Sequence, residues 1–158
     1  VKKLFDRQGF IFETLKTNTI NFRFSHKILF EFLSKELNFP IGKKKNLKIN
    51  DRIYSLSFGK VKNVIRGIFD TDGTFYLSRN RKGIPSYPCM AIHMNSPILI
   101  KQIGDVLLDQ GYKPNYSDHG TMLRLSGKVQ LKKWMEEIGS SNPKHLNKIN
   151  KFLEQNSN

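Results

Sequence analysis

The ten residues VIRGIFDTDG at positions 64–73 constrain this chain more than any other stretch. Val61, Val64, Ile65, Ile68 and Phe69 recur at i, i+3, i+4, i+7 and i+8, which is one stripe of an α-helix. Gly67 lies on that helix with no turn to make, and a helix-interior glycine costs about 1 kcal/mol relative to alanine. The return expected is close approach to another backbone. Asp70 and Asp72 follow where the helix ends, and Gly73 is expected to take a positive φ and stop it. Carboxylates oppose the dipole at a helix C-terminus, so an acid placed there favours a cation. A hard divalent metal meets that need. The series of acids required for an EF-hand loop is missing.

IRGIFDTDG (65–73) resembles the LAGLIDADG motif of homing endonucleases. The resemblance implies two motif helices packed side by side, with the second acid of each motif binding Mg²⁺ at a DNA-cleaving centre. On that basis Asp72 is the expected catalytic metal ligand, and Asp70 either supports the helix end or contacts the metal. Gly67 and Ile68 fall at motif-helix packing positions.

The chain laid against itself with a shift of 64 residues carries the motif twice. VKKLFDRQGFIF (1–12) falls under IRGIFDTDGTFY (65–76), so that Leu4 matches Ile68, Phe5 matches Phe69, Asp6 matches Asp70 and Gly9 matches Gly73. Leu4 is thus the packing residue of the first motif. Two strand-like stretches follow each motif, at 10–16 with 19–24 and at 74–80 with 87–94. Each pair leads to a helix opening on a serine, Ser25 in one half and Ser96 with Pro97 in the other. Two more short strands are expected in each half, at 43–49 with 53–58 and at 114–118 with 121–126. Helices at 127–138, stopping at Gly139, and at 144–154 complete the chain. The expected fold is α+β, with two pseudo-symmetric αββαββ-type repeats, 1–59 (degenerate) and 60–158 (intact). The resemblance implies that the motif helices pack at the centre and that the antiparallel sheets form a DNA-binding saddle. LKKWMEEIGSSNPKHLNKI (131–149) is similar to the family's C-terminal segment, where a basic residue reaches the active site. Lys144 is the candidate there, with His145 a weaker one.

The first motif departs from the pattern. Gln8 occupies the position of a metal-binding acid, and Lys3 that of the small packing residue. An amide oxygen can still ligate Mg²⁺, but the site loses a full charge. Gln8 therefore remains a candidate catalytic and metal residue, while double-strand cleavage is in doubt.

Charge points to the partner. With 27 Lys+Arg against 13 Asp+Glu, the net charge is +14, which favours a polyanion. A polar strand face of Thr74, Tyr76, Ser78 and Asn80 lies opposite Phe75 and Leu77, and Thr14, Lys16, Asn21 and Arg23 form the matching face in the first half. A β-ribbon fits the major groove of double-stranded DNA, where such side chains read base edges. Lys43, Lys44, Lys45, Lys48, Arg79, Arg81 and Lys82 are expected to hold phosphates. Cys89 is the only cysteine, which excludes an intrachain disulfide and a Cys-rich zinc site. No apolar run approaches 18 residues, so a soluble, intracellular monomer without membrane contact is expected.

The function expected is a site-specific, Mg²⁺-dependent DNA endonuclease of homing type, impaired or nicking because of Gln8. The alternative is a cleavage-inactive nucleic-acid-binding protein, such as an intron RNA maturase or a DNA-binding regulator. Homodimerisation through the 61–72 helix is a further option, and a basic ribosomal-type protein is the bland one.

Overall fold

The computed structural model describes residues 6, 8–14, 19–41, 46–79, 83 and 85–156. The chain forms two compact units that divide between Ile41 and Gly42. The expected boundary at 59/60 was one of sequence repeats, whereas this division is one of packing.

In the first unit, β1 (Phe10–Thr14) and β2 (Thr19–Arg23) pair antiparallel with Phe12 opposite Asn21. A short helix α1 (Lys27–Glu31) follows. It opens on His26, whose Nδ1 accepts from the Leu29 N–H at 3.1 Å, and not on Ser25 as expected. Beyond α1 the helix widens into a π-type turn over Phe32–Glu36, closed by Leu37 N–H donating to Phe32 O at 3.1 Å. The Ser34 hydroxyl bonds back to Phe30 O at 2.7 Å within that turn. The expected first motif helix, with Leu4 and Lys3, lies outside the described residues.

The second unit opens with a correction. The strand pair expected at 43–49 and 53–58 is absent among the described residues. In its place stand helix α2 (Asp51–Tyr54) and the start of α3 (Phe58–Asp72). The Asn50 side chain accepts from Arg52 N–H at 2.9 Å and caps α2. The extended residues before it bond to a helix instead of a strand. Gln102 accepts from Ile49 N–H at 2.7 Å and donates to Ile49 O at 3.1 Å, while the Ser96 hydroxyl donates to Leu47 O at 2.5 Å. Ile49 is buried by this strap.

A four-stranded antiparallel sheet follows α3, built from β3 (Gly73–Arg79), β4 (Pro85–His93), β5 (Asn115–Ser117) and β6 (Met122–Ser126) in the order β3-β4-β6-β5. Helix α4 (Pro97–Asp109) runs between β4 and β5, capped by Ser96 and begun by Pro97 as its sequence predicts. Helices α5 (Lys128–Glu137) and α6 (Pro143–Glu154) come last. Gly139, at φ 72°, closes α5 by donating to Trp134 O at 2.7 Å. The α+β class with antiparallel sheets agrees with expectation.

Alternation decides which sheet face is covered. Phe75, Met90, Ile92, Leu123 and Leu125 point into the core with Ile65, Phe69, Ile100, Ile103, Trp134 and Ile149 from the helices. Burying each such large apolar side chain is worth about 1.5–3 kcal/mol. Phe69 is the meeting point. Its ring lies 5.1 Å from Trp134, edge-on, and 4.9 Å from His145, so the motif helix is packed against both α5 and α6.

Candidate active site and nucleic-acid face

Helix α3 buries Val61, Ile65 and Phe69, leaving Val64 and Ile68 half-buried and Gly67 exposed. A Cβ added to Gly67 would meet no described atom within 4 Å, so the second unit does not itself make the close approach. The expected counterpart in the first motif helix, Leu4 included, lies outside the described residues.

Gly73 ends the helix by a different route from the one expected. Its φ is −85° with ψ 167°, so the chain passes straight from helix to β3 without a left-handed residue. Its N–H still bonds to Phe69 O. Glycine suits the position because a Cβ would collide with the Phe69 ring and with its carbonyl. The turn is tight for reasons of packing, not of φ.

The two acids at this helix end have different surroundings. Asp70 is half-buried and fully engaged. Its carboxylate accepts from the Ser140 hydroxyl at 2.5 Å and from Ser141 N–H at 2.9 Å, and its carbonyl accepts from the Asn142 side chain at 2.7 Å. Asn142 Oδ1 in turn accepts from Lys144 N–H at 2.9 Å and caps α6. Asp70 thus ties the motif helix to the start of the last helix. Asp72 is exposed, and among the described residues the neighbouring Thr71 hydroxyl is the one hydrogen-bond partner of its carboxylate, 2.8 Å from Oδ2. That hydroxyl also sits 3.1 Å from Gly67 O and 3.2 Å from Ile68 O, so its single proton has three acceptors to choose among. The Asp72 carboxylate keeps lone pairs available to a cation.

Lys144 is exposed on the first turn of α6, and no described carboxylate forms an ion pair with it. His145 lies on the other side of the same turn and is buried against Phe69. Burial pushes its pKa down, Asp70 and a hydrogen bond at the Phe69 backbone pull it up, and Lys144 and Lys148 push it down further. A buried, packed imidazole cannot take the solvent-facing role for which it was the weaker candidate.

Among the described residues no group of three His, Cys, Asp or Glu side chains forms a metal cage. An exposed lone carboxylate is the kind of donor a hard divalent cation can use, since one or two carboxylates suffice for it and water and phosphate oxygens complete its shell. Asp72 is the one suitable carboxylate at this helix end. Gln8 is exposed ahead of β1 in the first unit.

The open face of the sheet is the second candidate surface. Register places Thr74, Ala91, Arg124 and Asn115 in one row across the four strands, and Tyr76, Cys89 and Ser126 in the next. Ser78 opposite Tyr87, and His93 opposite Met122 and Ser117, extend the face at either end. Ser78 donates to Tyr87 O at 3.4 Å, and Arg79 at the strand end is exposed. Asn80, Arg81 and Lys82 lie outside the described residues, as do Lys16, Lys43, Lys44 and Lys45. Lys48 is exposed and pairs with Asp51 at 3.1 Å, a weak contact that a phosphate can displace. In the first unit Thr14, Asn21 and Arg23 share one hairpin face with Phe10 and Phe12. Asn21 donates to the Thr14 hydroxyl at 3.0 Å, and the Arg23 guanidinium lies 5.2 Å from the centre of the Phe12 ring.

Arg124, Asn115 and His93 were not among the residues expected from the sequence. For Arg124 the signal was the period-two pattern of MLRLS, which places it on one face with Met122 and Ser126, although which face is open follows only from the sheet register.

A family model described as a LAGLIDADG-like domain matches residues 60–139, about half of the chain. The chain belongs to the LAGLIDADG family. The match covers all but the first two residues of α3, the whole four-stranded sheet, α4 and α5. Comparison with curated proteins gave no match. Family members are mostly nucleases or maturase-type nucleic-acid-binding proteins, and the nucleases typically use a divalent metal. A nucleic-acid function of that general kind follows for this LAGLIDADG chain. No helix among the described residues is long and apolar enough to cross a membrane.

Proposed function

We propose that this LAGLIDADG protein is a homing-type, site-specific DNA endonuclease. It binds duplex DNA through the major groove on the open sheet face and hydrolyses a phosphodiester at the end of α3. The division of labour between the two motif acids carries the proposal. Asp70 is consumed in holding the site together, and Asp72 is left exposed with its lone pairs available.

Asp72 would hold a Mg²⁺ ion, which when bound offsets the charge developing on the phosphate and favours hydroxide from bound water. Lys144, with no described acid partner, attracts the scissile phosphate or orients water near it. Asp70, Ser140 and Asn142 fix the distance between the end of α3 and the start of α6, and thereby orient both groups. Gln8 stands at the position of Asp72 in the degenerate first repeat and is a neutral amide where the family pattern has an acid. The second half is thus the competent one, and a nick in one strand is the product that this asymmetry favours. The protein acts as a monomer, since the two motifs lie in one chain.

A second reading keeps the binding surface without the chemistry. The neutral Gln8 favours it, and its ligand would be intron RNA or a regulatory DNA site.

Incubation of supercoiled DNA carrying a selected binding site, with and without Mg²⁺, tests the proposal. Open circles from the wild-type chain and none from Asp72→Asn, at DNA affinity unchanged within a few-fold, are the expected result. Cleavage retained in Asp72→Asn sinks the assignment. Tight binding without any cut moves the function to the second reading.

A further inference from the structure

Arg124 stands out on the open sheet face because no described carboxylate forms an ion pair with it. It lies on β6, an inner strand, with Ala91 beside it on β4 and Asn115 beside it on β5. Its Nε is buried and has no hydrogen-bond partner among the described residues. The one contact recorded for its terminal nitrogens is with the Met122 sulfur at 3.8 Å, a weak acceptor. No strand of this sheet contains an Asp or Glu, so no carboxylate on the face can neutralise it. A half-buried guanidinium without an acid is costly to hold in a fold unless a ligand completes it.

Chemistry selects the ligand. A guanidinium presents a planar fork of donors, and its neighbour on β4 is the small, buried Ala91. Thr74 and Asn115 in the same row add donors and acceptors on either side. Phosphates lie at the margins of a docked duplex, where peripheral cations such as Arg79 meet them. A donor fork at the centre of a groove-reading sheet instead faces base edges. There the partner with two adjacent acceptors is guanine, through O6 and N7.

We infer that Arg124 is a specificity-determining residue that reads one guanine of the target duplex in the major groove. The inference rests on the proposed DNA binding and narrows it to one residue and one base. Substitution of Arg124 is read by which sequences are bound.

Selection of bound duplexes from a randomised pool tests this, using the full chain as wild type, Arg124→Ala and Arg124→Gln. The wild type is expected to enrich guanine at a position where Arg124→Ala loses the preference by roughly ten-fold or more, with other positions unchanged. Arg124→Gln is expected to move the preference at that position toward adenine, a gain that a merely damaged fold cannot produce. A uniform drop in affinity for all sequences, with a shallower salt dependence, would make Arg124 a phosphate contact and overturn the inference. An unchanged sequence preference in both variants would also overturn it while leaving the DNA-binding proposal standing. Failure of the wild type to bind any duplex would remove that proposal and this inference together.

Discussion

The two units of this chain use similar residues to opposite effect. In the second, 42–158, the strands alternate cleanly, with Phe75 and Leu77 inward and Thr74, Tyr76 and Ser78 on the open face, and helices cover the inner side. In the first, 1–41, the hairpin carries large apolar residues on both faces. Phe10 and Phe12 occupy one face, Ile11, Ile20 and Phe22 the other, and no described residue of the unit is buried. Apolar content alone therefore does not make a core. Two conditions make a core easier to form here: one sheet face is polar, so that only the other has to be covered, and there are enough elements to do the covering. The family match lies wholly in the second unit, where both conditions hold.

The sharpest way to break that contrast is a pair of phenylalanine truncations. Phe69→Ala removes the ring that joins α3 to Trp134 and His145 and should cost about 3–5 kcal/mol in urea unfolding of the full chain. Phe22→Ala, about half exposed, should stay within about 1 kcal/mol. Equal costs would mean that the hairpin contributes to a common core.

Next in size is the pair of motif acids. Asp70→Ala strands the Ser140 hydroxyl and the Ser141 N–H and should destabilise by about 1–3 kcal/mol. Asp72→Asn removes an exposed charge from the wrong end of the helix dipole and should raise stability by about 0.3–1 kcal/mol. A site residue whose loss stabilises the fold is being kept for something else. A destabilising Asp72→Asn would instead make it structural.

A smaller effect is confined to the second unit. Burial lowers the His145 pKa below its ordinary 6.5, so the unfolded chain takes up the proton more readily than the folded one. Stability contributed by neutral His145 is complete above that value and is lost as pH falls through it, levelling off below the folded-state pKa. Thermal midpoints between pH 8 and pH 5 should show this decline in the wild type, and the fall should be shallower in His145→Phe. The smallest effect is expected at Lys48→Ala, which breaks an exposed pair with Asp51 and should shift stability by no more than about 1 kcal/mol.

Much of this was legible in the sequence for local reasons. Ser96 with Pro97, Gly139, and the alternation in 74–77 each carry their structural meaning within a few residues. Residues 46–58 misled because Leu47 and Ile49 alternate like a strand, while their backbone partners are the side chains of Ser96 and Gln102 about fifty residues on. Gly73 was expected to need a positive φ because glycine after a helix usually does, whereas here it clears space for Phe69. Asp72 could be singled out from the motif alone. The partners of Asp70 could not, since Ser140, Ser141 and Asn142 follow it by 70 to 72 residues. Arg124 needed the sheet register, which local pattern does not supply.

That long separation at Asp70 bears on time as well as shape. Contacts between residues far apart in sequence are the slowest to form, because the intervening chain must first be ordered. The stretch closed between Asp70 and residues 140–142 includes the whole four-stranded sheet, α4 and α5. Clamping the end of the motif helix is therefore expected late in folding, and late protection of the Ser141 amide in pulsed hydrogen exchange would check it. A chain still emerging from synthesis carries the motif long before it carries a completed site.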